Sequence, residues 1–306
     1  MSRQRATLAG PATALALALA LGACGSVSSA ALGGGAVRIV AAENFWGSIA
    51  RQIGGADAVV ASVIANPAQD PHSYEPTAAD ARTMAIAQLA IVNGIGYDPW
   101  APRLLAADPA DGRVVLTVGS LLHLQAGQNP HRWYDPADVE RVAAAIEIAL
   151  RGLDPGHAAY YQRQLERFET SGLAGYHALI ARVRERYAGV PVGASESIFA
   201  LLAPALGLNL ITPAGFMKAT SEGTELSAQD TATAERQITT RRVKVWIYNT
   251  QNATPEIQRL NGLARAARIP IATVTETLSP AGASFQQWQV DQLQSIDAAL
   301  HEGTGR

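Results

Sequence analysis

The sequence predicts an α/β protein of two lobes, each a mostly parallel sheet flanked by helices, joined by one long helix. Two observations predict this. From Val37 onward, short apolar runs alternate with longer amphipathic stretches, the pattern of strand–helix–strand units that build parallel sheets covered on both faces. The alternation breaks once, between about 155 and 188, for a long stretch rich in Arg, Glu, Gln, Tyr and Leu that reads as helix.

In the first half, Val37–Ala42 is an expected strand and Phe45–Ile53 a helix. Val59–Ile64 is the second strand. Thr77 stands where an N-cap belongs for a helix over Ala78–Ala87. Leu89–Asn93 and Val114–Val118 are strands, and Asp135 precedes an amphipathic helix over Pro136–Leu150. The helical stretch from about His157 to Arg186 contains Gly172 and Gly175. Each glycine costs about 1 kcal/mol against alanine, so a kink or a turn between two ordinary helices fits there. In the second half, Val190–Ala194, Leu208–Thr212, Val243–Tyr248 and Ile271–Val274 are expected strands. Ser197–Leu206, Ala228–Thr239, Pro255–Ala267 and Ser284–His301 are the expected helices.

The N-terminus reads as an export signal. Arg3 and Arg5 precede an apolar stretch around Ala12–Leu21, too short to span a bilayer comfortably, which ends in Leu21-Gly22-Ala23-Cys24. That tetrapeptide resembles a bacterial lipobox, which implies cleavage after residue 23 and lipidation of Cys24. Cys24 is the single cysteine, so the exported domain holds no disulfide. Residues 24–36, rich in Ser, Ala and Gly, read as a tether of roughly 20 Å average span. Domain boundaries are expected at 37–154, 155–188 and 189–306. Without Arg3 and Arg5 the chain has 22 basic against 26 acidic residues, a formal charge of −4 rather than −2. With no basic stripe, this argues against nucleic-acid binding.

Two loops carry the chemistry. Asp70-Pro71-His72 is followed by Tyr74 and Pro76, and Asn129-Pro130-His131 by Trp133, Tyr134 and Pro136. Proline fixes its own φ and biases the preceding residue toward extended geometry, so each turn presents its imidazole in a set direction. Two rigidly held imidazoles from distant loops suggest one metal site.

The segments 70–76, Asn93-Gly94-Ile95-Gly96-Tyr97-Asp98-Pro99-Trp100 and 129–136, in this order, resemble the zinc/manganese solute-binding lipoproteins of ABC transporters. The resemblance covers nearly all of the mature chain. It implies two α/β lobes joined by a long rigid helix, with the metal in the cleft between them and His72 and His131 as ligands from the first lobe. It further implies Glu196, in Ala194-Ser195-Glu196-Ser197, as the third ligand. The fourth falls on Glu276, in Val274-Thr275-Glu276-Thr277, where the family typically has Asp.

The residues support that set independently. His72, Glu196 and Glu276 each follow the carboxyl end of an expected strand, where open α/β sheets bind ligands; His131 follows a longer loop. Two imidazoles and two carboxylates suit Zn²⁺, Mn²⁺ or Fe²⁺, whereas Ca²⁺ takes more oxygens and Cu(I) prefers sulfur. Glu196 also has a plain alternative as a charge at a helix N-terminus. Asp70 and Glu75 are candidates to orient an imidazole, and Tyr74, Trp100 and Trp133 to pack the walls. His123 reads as structural, and His157, His177 and His301 as solvent-facing. Residues 101–128 lack the His-rich loop of many zinc-specific members. Two carboxylates lean toward Mn²⁺ while the general affinity order favours Zn²⁺, so both stay open.

The expected function is a lipid-anchored, extracytoplasmic, monomeric receptor that passes a divalent transition metal to an ABC permease and converts nothing chemically. Alternatives are a metal-dependent surface adhesin, a metallohydrolase, or a siderophore or corrinoid receptor. The metallohydrolase is disfavoured because four protein ligands close the site and no His-Glu-x-x-His helix is present.

Overall fold

Two four-stranded sheets organise the chain, and every strand pair in them is parallel. The first contains β1 (Val37–Glu43), β2 (Ala58–Ile64), β3 (Leu89–Val92) and β4 (Val114–Thr117), in the order β2-β1-β3-β4. The second contains β5 (Pro191–Ala194), β6 (Asn209–Leu210), β7 (Trp246–Asn249) and β8 (Ile271–Val274), in the order β6-β5-β7-β8. The two orders are the same pattern, each reversing direction beside its first strand. In such sheets the strands' carboxyl ends at the reversal form a crevice. Residues 35–306 are described in this computed structural model and form one compact unit. The expected signal sequence, Cys24 and most of the tether lie outside the described residues.

Helices return the chain between strands. In the first half these are α1 (Asn44–Gly54), α2 (Ala78–Ala85), α3 (Trp100–Ala107) and the single turn α4 (Val118–Leu121); α5 (Pro136–Leu153) follows. Thr77 caps α2 in a reciprocal box with Asp80, and the Asp135 carboxylate accepts the Ala137 and Asp138 N–H groups at the start of α5. The expected long helix is a run of three segments: α6 (Ala158–Arg167), a π turn over Phe168–Gly172, and α7 (Ala174–Tyr187). Gly172, one of the glycines marked in the sequence, ends the π turn. The second half contributes α8 (Leu202–Ala205), α9 (Ala214–Ser221), α10 (Ala228–Thr239), α11 (Pro255–Ala266) and α12 (Phe285–Thr304). No helix of the described residues is long and apolar enough to cross a membrane.

Several elements differ from the sequence reading. Helix α3 falls where the sequence predicts no element; Pro102 sits in its first turn, where proline is tolerated. Helix α9 is short, with Gly215 and two threonyl/seryl positions near its end; burial of Phe216 and Met217 holds it. The expected helix Ser197–Leu206 is a 3-10 turn over Ser197–Ala200 followed by α8. Strand β6 keeps only two residues. Strand β7 begins at Trp246 and runs one residue past the expected end, to Asn249. Val243 and Val245 are buried without being part of that strand, so apolarity alone misplaced it.

An aromatic cluster joins α1 to the second Pro-His loop. Phe45 stacks on Trp133 with ring centroids 3.8 Å apart, Trp46 meets Trp133 edge-on, and Tyr97 lies 5.0 Å from Trp133. Trp46 Nε1 donates to Asn93 Oδ1, and Asn93 Nδ2 donates to the Pro130 carbonyl, both at 3.0 Å. The halves are sewn together along α1. Asn44 Oδ1 accepts the Leu278 N–H, Ser48 Oγ accepts the Phe285 N–H, and Gln52 pairs with Gln286. The apolar core runs unbroken across both halves.

These packing terms rank in size. Trp133→Ala removes a fully buried ring and should cost about 3–5 kcal/mol in urea denaturation of the metal-free protein. Thr77→Ala, which removes only a cap, should cost about 1 kcal/mol in the same measurement.

Candidate metal centre

Each sequence-predicted ligand sits beyond the carboxyl end of a strand. His72 follows β2 in a single 3-10 turn, Pro71–Ser73, which Asp70 caps: its Oδ1 accepts the His72 N–H at 2.9 Å. His131 follows β4 by a longer loop. Asn129 Oδ1 accepts both the His131 backbone N–H, at 3.1 Å, and its Nδ1–H, at 2.8 Å. That second bond fixes the tautomer and leaves Nε2 with its lone pair exposed to the site. Glu196 lies two residues past β5, and Glu276 two residues past β8.

The structure brings three of these four together. One ligand atom from each of His72, His131 and Glu276 lies within 4.8 Å of the other two. Glu276 Oε2 is 3.3 Å from His72 Nε2 and 3.8 Å from His131 Nε2. Both Nε2 atoms are buried without a hydrogen-bond partner among the described residues. His131, Glu196 and Glu276 are fully buried, while the His72 side chain keeps 20% exposure. Two imidazole nitrogens and a carboxylate oxygen aimed at one point form a donor set for a divalent transition metal.

Glu196 stands just outside that group. Its Oε1 accepts from Asn249 Nδ2 and its Oε2 from Asn252 Nδ2, the latter at 2.8 Å. The same Asn249 amide donates to Glu276 Oε1 at 2.9 Å, so one NH₂ group bridges the two carboxylates. Tyr97 OH donates to Glu276 Oε2 at 2.6 Å. The Tyr97 loop is held by Asp98, whose carboxylate accepts the Asn93 and Gly94 N–H groups at 2.7 Å each. Glu43 lies buried beside Asp98; burial and the Asp98 charge push its carboxyl well above the usual range.

Gln251 completes the framework. Its Oε1 accepts the N–H groups of Glu276, at 2.6 Å, and Thr277, at 3.0 Å. Its Nε2 donates to the Gln69 carbonyl at 2.7 Å, just before the His72 turn, and to Thr277 Oγ1 at 3.0 Å. Tyr97, Asn249, Gln251 and Asn252 were not identified from the sequence as site residues. Tyr97 belongs to the Asn93–Trp100 segment. Asn249, the last residue of β7, and Gln251 and Asn252 just beyond it belong to no motif in the sequence.

Charges in the site are strongly coupled. Burial works against the His72 imidazolium, but the adjacent Glu276 carboxylate outweighs it and raises the ring to about 9. His131, wholly buried, falls to about 3 and stays neutral. Burial opposes charge on Glu276, yet the histidines and the Tyr97 hydroxyl hold it below the usual carboxylate range. Glu196 moves upward, through burial and the nearby Glu276 charge.

The remaining candidates fall elsewhere. Asp70 binds the His72 backbone rather than its ring, and Glu75 is exposed. Trp133 packs against the His131 ring at 5.3 Å, whereas Tyr74 packs on Trp100 in a separate apolar cluster of the first half. His157 pairs with Asp154 and His177 with Glu140 on the surface.

Comparison with known proteins gives consistent results. Iron-binding protein YfeA of Yersinia pestis is 31% identical over 170 residues, 52% of this chain and 53% of that protein. Manganese-binding lipoprotein MntA of Halalkalibacterium halodurans is 27% identical over 158 residues, 50% of this chain and 52% of that protein. The matches thus span about half the length of these relatives. Among solved structures, the Mn-bound periplasmic metal binding protein from Candidatus Liberibacter asiaticus superposes with a TM-score of 0.72 at 18% identity, covering 86% of this chain and 99% of that one. A crystal structure of ZnuA gives 0.69 at 21% identity, with the same coverage. These structures share the fold. The sequence model of the periplasmic zinc-uptake complex component A matches residues 39–299, and the chain belongs to that family.

Proposed function

We propose that this chain is an extracytoplasmic receptor for a divalent transition metal, Zn²⁺, Mn²⁺ or Fe²⁺, which it delivers to an ABC permease. The observation that carries this reading is the buried convergence of His72, His131 and Glu276 from both halves of the fold. Glu196 serves as the fourth ligand, leaving the Asn249 and Asn252 amides to close on the ion. Two neutral imidazoles and two carboxylates then cancel the ion's charge. The receptor is a monomer held at the membrane by lipidated Cys24, with lobes 37–154 and 189–306 joined by 155–188. It has no catalytic role. The relatives' names support the metal class: one is an iron-binding protein and another a manganese-binding lipoprotein.

Binding must appear as stabilisation. For metal-stripped protein, free ion at 100 times Kd adds about 2.7 kcal/mol, and Tm should rise by roughly 5–10 °C. Differential scanning fluorimetry with Zn²⁺, Mn²⁺ and Fe²⁺ measures this. Absence of a rise with all three overturns the reading. His131→Ala and Glu276→Gln should abolish the rise, and Glu196→Gln should weaken binding about tenfold or more.

The pH dependence has a definite sign. In the metal-free site His72 keeps its proton up to about 9, and a cation must displace it. Affinity should therefore fall by up to about tenfold for each pH unit below about 9 through the His72 proton, and more steeply below about 8, where Glu196 must lose a proton as well. His131, already neutral above about 3, adds nothing to this slope. The His72–Glu276 pair acts the other way on the metal-free fold. Because the folded-state value is raised, its stabilisation is full below about 6.5 and is lost as pH rises through about 9. The metal-induced Tm shift should thus grow steadily from pH 6 to pH 9. Calorimetry in buffers of different ionisation enthalpy counts the released protons.

A further inference from the structure

We propose that Asn129 and Gln251 are paired latches that tie metal retention to contact between the two halves; this rests on the metal-receptor reading above. Each amide does two jobs at once. The carbonyl oxygen of Asn129 orients His131, and its NH₂ group donates across to the Ser197 carbonyl at 2.7 Å, next to Glu196. Gln251 mirrors this from the other half. Its carbonyl oxygen holds the Glu276 and Thr277 N–H groups, and its NH₂ group donates across to the Gln69 carbonyl at 2.7 Å, before the His72 turn.

The first turn provides an internal contrast. Asp70 and Asn129 hold the same place before Pro-His, and the side chain of each accepts the histidine's backbone N–H. Asp70 has nothing to donate. Asn129 has an NH₂ group, and it is spent on the opposite half. Every ligand is thereby either bound to a latch or within three residues of a latch's target: His131 and Glu276 directly, Glu196 through Ser197 and His72 through Gln69. Separating the halves breaks both cross-contacts and frees the groups that aim His131 and Glu276. Release is then a step that follows from opening, which a docked permease drives by pulling the halves apart. Neither residue is a ligand in this scheme; both are positioning residues.

Isosteric exchange isolates the crossing bond. Asn129→Asp keeps the oxygen that orients the ligand and loses only the donor to the opposite carbonyl; Gln251→Glu does the same but also loses the bond to Thr277 Oγ1. Each also adds negative charge near the cation, which by itself slows release. Gln251→Ala and Asn129→Ser remove the donor without adding charge. The measurement is stopped-flow transfer from loaded protein to excess chromogenic chelator, using Zn²⁺ or Mn²⁺, whichever gives the larger melting shift in the unmodified chain. Gln251→Ala and Asn129→Ser should release metal about two- to tenfold faster, with the association rate close to that of the unmodified chain, and each charged isostere should release more slowly than its uncharged counterpart. A residue needed only for folding lowers metal-free Tm without this split between the two rates. Release from both uncharged variants at the unmodified rate or slower overturns the latch, as does an equal change in both rates. If the unmodified chain itself takes up no metal, the receptor reading fails; if it binds normally and the variants release normally, only the latch fails.

Discussion

The arrangement depends on the Glu276 carboxylate, buried between two imidazoles that come from the other half of the chain. Isolated in a dry interior, a carboxylate costs far more than the fold's net stability. It persists because Tyr97, Asn249 and His72 all address its two oxygens. Each of those groups must in turn be held. Asp98 fixes the Tyr97 loop, β7 delivers Asn249 at its last residue, and Asp70 winds the turn that presents His72. The need to satisfy one buried charge accounts for much of the polar structure at the carboxyl ends of both sheets.

That charge also sets the balance between the metal-free and metal-bound states. In the metal-free site His72 carries the positive charge that Glu276 requires, and the Asn249 amide separates two carboxylates that otherwise repel. A divalent cation does both tasks more strongly. The protein thus holds stand-ins for its cargo: a proton on His72 and an amide between Glu196 and Glu276. The apolar core across α1 and α12 packs the two halves against one another.

The paired Pro-His turns made His72 and His131 legible, because proline restricts local geometry whatever surrounds it. The resemblance supplied Glu196 and Glu276. The structure gathers His72, His131 and Glu276 and holds Glu196 one amide away, a distinction the motifs do not carry. The strand–helix alternation showed the α/β class, since burial on both faces requires apolar runs wherever strands occur. Helices α3 and α9 were not legible. Their weak local propensity is overridden by the apolar surface they cover, which exists only after the sheets form. The run Val243–Tyr248 shows the same limit: apolar continuity marks burial but not the register at which pairing starts.

By itself, then, the sequence determined what is local: helix caps at Thr77 and Asp135, the two rigid histidine turns, the alternation of apolar runs, and the supply of His and carboxylate donors without sulfur. Only the tertiary structure decided which side chains share a bond, namely that Asn249 bridges two carboxylates, that Tyr97 reaches across to Glu276, and that Asn129 and Gln251 cross between the halves. The reason is physical. Backbone preferences act over a few residues, whereas a hydrogen bond between groups 179 positions apart, such as Tyr97 and Glu276, exists only once the sheets and the core have set the distance between them.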